Sequence, residues 1–213
     1  METRVDCAIF DLGGVVLRWN PDGIISNFSS DEGVRSIVKR DVFQHPDWLD
    51  MDRGVLPELT AVQRFHERTG LSVAQVSALM QAVKDYLQPI PETVELLEEL
   101  AARGIRLYCL SNMPATTAGY LRARHSFWRV FRGVVISGEI NLMKPDPAIF
   151  GHIAERFSLI PERTAFIDDL LPNIESARRL GFKAVLFKDA AQCRASLNSL
   201  LYAADPPVGG VHS

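Results

Sequence analysis

Asp11, Ser111, Asn112, Lys144, Asp168, Asp169 and Asn173 are the residues of this 213-residue chain whose types and placement suit joint action on an anion. Each lies at or shortly after the end of an apolar run: Asp11 closes AIFD, Ser111-Asn112 close LYCLSN, Lys144-Pro145-Asp146 follow VVIS, and Asp168-Asp169 close AFIDD, with Asn173 four residues on. Taken singly, these residues have plainer uses. A strand-end Asp is ordinarily a turn former, Asp168-Asp169 suit the start of a helix near Pro172, Ser111-Asn112 make a turn before Pro114, and Lys144 is a solvated loop lysine. Brought to one rim, three carboxylates and a lysine would repel or lose solvent at a cost unless countered. A divalent cation with an anionic substrate satisfies both signs. The donors are all oxygens and no Cys or His stands at ligand spacing, so the implied ion is hard, Mg²⁺ above all.

Alternating elements are needed to carry those residues to one rim. Val5–Phe10, Ile105–Leu110, Gly133–Ile136, Thr164–Ile167 and Lys183–Phe187 are short, apolar and bounded by polar residues, as buried parallel strands are. Helical patterns lie between them: Pro91 to Arg103 carries Val94, Leu97, Leu100 and Ala101 on one face and stops at Gly104, and Pro172–Leu180 stops at Gly181. The fold class is therefore α/β, a Rossmann-like three-layer core whose central parallel sheet presents its strand ends to a ligand. Some 70 residues between the first and second strands show no strand pattern, too many for a simple crossover. Ser72 and Gln75 form a capping box before Val76, Leu79, Met80, Val83 and Leu87, and Leu59, Val62 and Phe65 make another helical stripe. Residues 20–88 read as a small helical cap inserted into a core of residues 1–19 and 89–213.

A formal charge of −3 with no dense basic run gives no footprint for nucleic acid or an anionic membrane, so the expected partner is a small phosphorylated molecule. No apolar stretch approaches the ~20 residues of a spanning helix, and METRVDC lacks a signal peptide's apolar region; the expected location is the cytoplasm, as a monomer or small homo-oligomer. Cys7, Cys109 and Cys193 are distant from one another and read as buried reduced thiols.

The segments FDLGGVV, LSN, KPDPAIF and FIDD, in this order on successive strand ends, resemble the haloacid dehalogenase superfamily, in its subclass with a small helical cap after the first strand. The resemblance implies that Asp11 is a nucleophile that attacks phosphorus and forms an aspartyl-phosphate later hydrolysed by water. It implies that Ser111 binds phosphate with Asn112 beside it ordering the substrate site, and that Lys144 neutralises phosphate and nucleophile. By the same likeness Asp11, the Gly13 carbonyl and Asp169 bind Mg²⁺, with Asp168 acting through water.

Phosphatases of this superfamily usually carry a second Asp two residues after the nucleophile, to protonate the leaving alcohol. Gly13 stands there. An Mg²⁺-dependent phosphatase of small phosphomonoesters accommodates this if the leaving oxygen is a good one, as in the similar bacterial α-D-glucose-1-phosphate phosphatase branch. A 2-haloacid dehalogenase, with Asp11 attacking carbon, needs no such acid, and neither does a catalytically weak phospho-ligand-binding member. In the cap, Arg53 is a candidate substrate contact; with Asp52 it otherwise reads as a solvated charge pair. Trp19 and Trp48 read first as packing between cap and core, and could also stack on a sugar ring.

Overall fold

The computed structural model describes residues 4–201, so the tail DPPVGGVHS, expected to fray, lies outside the described residues. The apolar runs become strands β1 (Cys7–Phe10), β2 (Arg106–Ser111), β3 (Phe131–Ile136), β4 (Thr164–Asp168) and β5 (Lys183–Leu186). They form one parallel sheet in the order β3-β2-β1-β4-β5. Strand alternation divides their side chains between two buried layers. Ala8, Phe10, Leu107, Cys109, Ala165 and Ile167 face one layer; Cys7, Ile9, Tyr108, Leu110 and Phe166 face the other. Cys7, Cys109 and Cys193 are buried and free, as expected.

Between β1 and β2 run α1 (Pro21–Phe28), α2 (Glu32–Val38), a π-helical turn at Lys39–Phe43, α3 (Pro46–Arg53), α4 (Glu58–Thr69) and α5 (Val73–Tyr86). The remaining helices are α6 (Pro91–Ala102), α7 (Ala115–Arg122), α8 (Ser137–Ile140), α9 (Pro147–Phe157), α10 (Leu171–Arg179) and α11 (Ala190–Leu201). Helices α6, α7 and α11 place Leu96, Leu97, Leu121 and Leu197 on the first sheet face, whereas α9 and α10 place Phe150, Ile153 and Ile174 on the second. None of the described helices is long and apolar enough to cross a membrane.

Helices α1–α5 bury an apolar cluster of their own, including Val42, Trp48, Phe65, Val76 and Leu79. The Ser72 side chain accepts the Gln75 N–H and the Gln75 side chain accepts the Ser72 N–H, the reciprocal cap expected at the start of α5. One expectation fails. Leu59 is 83 % exposed, and α4 buries Ala61, Val62 and Phe65 instead. At 100° per residue Leu59 lies roughly 115° from the centre of that stripe, too far round to share it.

The chain enters and leaves this helical segment side by side. Arg18 N–H donates to Gln88 O at 2.9 Å and Ile90 N–H to Val16 O at 2.8 Å. On the far side, α3 meets α8 backbone to backbone. A Cβ on Gly54 would stand 2.5 Å from the Gly138 carbonyl oxygen, and Gly54 also ends α3 at φ +88°, so both demands select glycine. The Ser137 hydroxyl donates to the Asp52 carbonyl, and Gln81 on α5 donates to Tyr120 on α7 at 3.0 Å.

Candidate active site

The sheet changes direction of winding at β1, flanked by β2 and β4, and an α/β sheet opens a crevice at such a place beyond its strand ends. Asp11 follows β1 directly, Ser111 ends β2, and Asp168 ends β4. Lys144 comes from the loop between α8 and α9 and joins the acids: its Nζ lies 2.9 Å from Asp11 Oδ1 and 2.7 Å from Asp168 Oδ2. Asn112 fixes that loop, donating to the Lys144 carbonyl and accepting its N–H, both at 2.9 Å. Asp168 is wholly buried and is held from three sides. Its carboxylate accepts from Lys144, from Leu170 N–H at 2.9 Å, and from the Asn173 amide at 2.9 and 3.1 Å.

Asp11, Asp168 and Asp169 each present an oxygen within 4.8 Å of the others. Burial pushes the Asp11 carboxyl up to about 7, with Asp168 and Asp169 adding to the rise and Lys144 opposing it. Burial and Asp168 also raise Asp169. For Lys144, burial acts to lower its pKa, but Asp11 and Asp168 outweigh it and hold the ammonium charged. One cation against three carboxylates leaves the cluster short of positive charge, and an all-oxygen set in that state fits a hard divalent ion. Asp11 spends Oδ1 on Lys144 and on the Leu12 N–H at 2.7 Å, which leaves Oδ2 without a partner among the described residues.

The glycine pair divides its duties. Gly14 has φ +75°, and a Cβ there would stand 2.3 Å from Asp169 Oδ2, so glycine is what lets the carboxylate approach this backbone. Gly13 is under no such constraint. A Cβ on it would meet Trp19 at 3.7 Å, an ordinary contact, so the backbone here does not itself demand glycine.

These groups floor a cavity of about 340 Å³ lined also by Gly13, Ser111, Asn112 and Asn173. Of the expected substrate contacts, Ser111 lines the cavity and Asn112 does so with its amide spent on Lys144, whereas Arg53 is exposed and does not line it. Asp52 is no solvated partner of Arg53: it is half-buried in the cavity wall, where burial raises its carboxyl well above the usual range against a hydrogen bond from Trp48. Trp19 and Trp48 pack as expected, 6.1 Å apart and stacked, and also line the cavity, as does Phe43, 4.6 Å from Trp48.

A model of the haloacid dehalogenase-like hydrolases matches residues 5–181, a span that takes in every residue of the acidic rim. The chain belongs to this family. As a haloacid dehalogenase-like hydrolase it is 27 % identical over 201 residues to the sesquiterpene phosphatase astK of Aspergillus oryzae, covering 94 % of this chain and 99 % of that one. It is 32 % identical over 167 residues to a glyceraldehyde 3-phosphate phosphatase of Methanopyrus kandleri, covering 76 % of this chain and 69 % of the other. Its fold is shared with a haloacid dehalogenase family enzyme of Bacteroides thetaiotaomicron, solved with magnesium and inorganic phosphate, at a TM-score of 0.70 and 23 % identity over 86 % of this chain and 94 % of that one. Within this hydrolase, sequence reasoning missed the cavity wall: Phe43, Met80, Met113, Met143 and Leu170 carry no motif, and only their convergence distinguishes them from core residues.

Proposed function

We propose that this hydrolase is an Mg²⁺-dependent phosphatase of small phosphomonoesters that works through Asp11, with residues 20–88 as a cap over a core of residues 1–19 and 89–213. The observation that carries the reading is the buried bridge from Lys144 to Asp11 and Asp168 within a three-carboxylate rim, at the floor of a cavity. Asp11 Oδ2 attacks phosphorus, the ester P–O bond breaks, and the leaving oxygen takes a proton from solvent. Water then cleaves the aspartyl-phosphate, which releases phosphate and restores the carboxylate. Ser111 and Lys144 receive the phosphate oxygens; Asn112, Asn173 and Asp168 keep Lys144 in place. Asp11, Asp169 and the Gly13 carbonyl would hold Mg²⁺, with Asp168 through water, and the ion would supply positive charge to the transferring phosphoryl group.

Without an acid at position 13 the reaction suits leaving oxygens of low basicity. The anomeric oxygen of glucose 1-phosphate, expected from the sequence, is one such oxygen; an aryl oxygen is another. Two of the relatives are named as a sesquiterpene phosphatase and a glyceraldehyde 3-phosphate phosphatase, so relatives alone do not choose between apolar and polar alcohols. A haloacid dehalogenase reading leaves Asp169 and the close fit of Gly14 to it without a use. The deciding assay is phosphate release from p-nitrophenyl phosphate with Mg²⁺ or EDTA, beside halide release from 2-chloropropionate. Phosphate released only with Mg²⁺ is expected; halide released in EDTA, with no phosphatase activity, would overturn the reading.

A further inference from the structure

The cavity is polar at its floor and apolar almost everywhere else. Above the rim of Asp11, Ser111, Lys144 and Asp169 its wall is built by Trp19, Phe43, Trp48, Met80, Val83 and Leu87. Core residues Met113 and Met143 continue the same surface. At the mouth stand Leu49 and Leu170, 54 % and 55 % exposed, one from α3 and one just before α10, so the apolar surface reaches bulk solvent from both sides. The hydrogen-bonding groups that a sugar ring would need are scarce on this wall. Asn112 has its amide oxygen and one of its two N–H donors bound to Lys144, Arg53 lies outside, and beyond the indole N–H groups of Trp19 and Trp48 the polar side chains above the rim are Thr117 and Asp52. Buried sugar hydroxyls would largely go unpaired there, whereas hydrocarbon would displace water from carbon and sulfur surfaces.

Resting on the phosphatase reading above, we propose that the substrate is a phosphomonoester of an apolar alcohol. Its phosphate meets Asp11 and Lys144, and its hydrocarbon lies along Trp19, Phe43 and Trp48 towards Leu49 and Leu170. Asp52 does not contradict this: it is half-buried in the wall, and burial raises its carboxyl well above the usual range, which favours the uncharged acid. The cavity, about 340 Å³ with its floor, is at the lower end of what holds a small organic ligand, so a single ring with a short chain is the size expected.

The test is a series of 4-alkylphenyl phosphates, from methyl to hexyl, whose leaving phenols differ little in basicity, assayed in Mg²⁺ beside glucose 1-phosphate and p-nitrophenyl phosphate. The expected result is a rise in kcat/KM of roughly two- to fourfold per added methylene until the cavity is filled, with glucose 1-phosphate at least ~100-fold below the best ester. Leu49→Glu, at an exposed position where folding is not at issue, is expected to lower kcat/KM more for the long chains than for the short ones. A flat series, or a preference for glucose 1-phosphate, overturns the apolar assignment while leaving the phosphatase standing. Silence towards every ester, p-nitrophenyl phosphate included, overturns both.

Discussion

Asp11, Gly13 and Gly14 sit within four residues of one another, and the structure gives them separate tasks. Asp11 is held by Lys144, and its replacement by Asn keeps the shape while removing the charge; Asp11→Asn is expected to abolish phosphate release with an unchanged circular dichroism spectrum. Gly13 lines the cavity and has room for a Cβ. Gly13→Asp is therefore expected to raise kcat on alkyl phosphates by about tenfold or more while changing p-nitrophenyl phosphate little, since positioned acid–base catalysis is typically worth 10²–10⁴-fold and matters most where the leaving oxygen is basic. An unchanged preference would refute that account of Gly13. Gly14→Ala drives a Cβ into Asp169 Oδ2 at a backbone angle that disfavours alanine, and the Mg²⁺ needed for half-maximal rate is expected to rise roughly 10–100-fold. The acids and the lysine were legible in the sequence as a group, because successive apolar runs lead to them; singly, each has a plainer use. The bonding partner of Asn112 was not legible: that its amide grips the Lys144 backbone depends on a loop whose path no local pattern encodes.

At the scale of elements, the strands were readable because β1, β2 and β4 at the middle of the sheet are buried on both faces and so are nearly continuously apolar, while the edge strands β3 and β5 keep a short apolar run beside exposed or half-buried residues. The α5 cap was readable because its two hydrogen bonds join residues three apart. Leu59 misled because spacing by three allows a residue to drift off a stripe, and only tertiary packing settles which face of α4 is buried. A contact between elements also explains how the helical segment is braced. Asp47, buried near the start of α3, accepts from Arg64 of α4 at 3.0 Å and from Arg68, with His45 beside it at 3.4 Å. Burial acts to raise its pKa, but the bonds from Arg68 and Arg64 prevail and hold the carboxyl below its ordinary value. A carboxylate depressed in the folded state stabilises above its unfolded pKa of about 3.9, and that contribution is lost as pH falls through the lower folded value. With both arginines partly exposed, Asp47→Asn is expected to cost about 1–2 kcal/mol at pH 7, read from urea midpoints, with the difference from wild type closing as the pH is taken below about 4. A difference that persists undiminished in acid would show that shape, not charge, makes the brace.

Across the whole molecule, one site draws on both halves of the chain: the floor comes from β1, β2, β4 and the Lys144 loop, and much of the wall from α3, α5 and the turn before α3. The sequence announces the floor and conceals the wall, because apolar residues that line a cavity have the same composition as those that fill a core. An ion held by the three carboxylates of the floor, as proposed, would stabilise the whole fold. Mg²⁺ at 100 times its Kd is expected to add about 2.7 kcal/mol, a rise in Tm of roughly 5–10 °C for a chain of this size, and Asp169→Asn is expected to remove most of that rise. The central claim is that Asp11 carries the phosphoryl group. It is tested most directly by acid-quenching the enzyme during turnover of p-nitrophenyl phosphate with Mg²⁺ and sequencing the peptide of residues 5–18 by mass spectrometry. A phosphoryl group on Asp11, absent from Asp11→Asn, is the result predicted. Steady phosphate release with no adduct on that peptide, undiminished in Asp11→Asn, would contradict it.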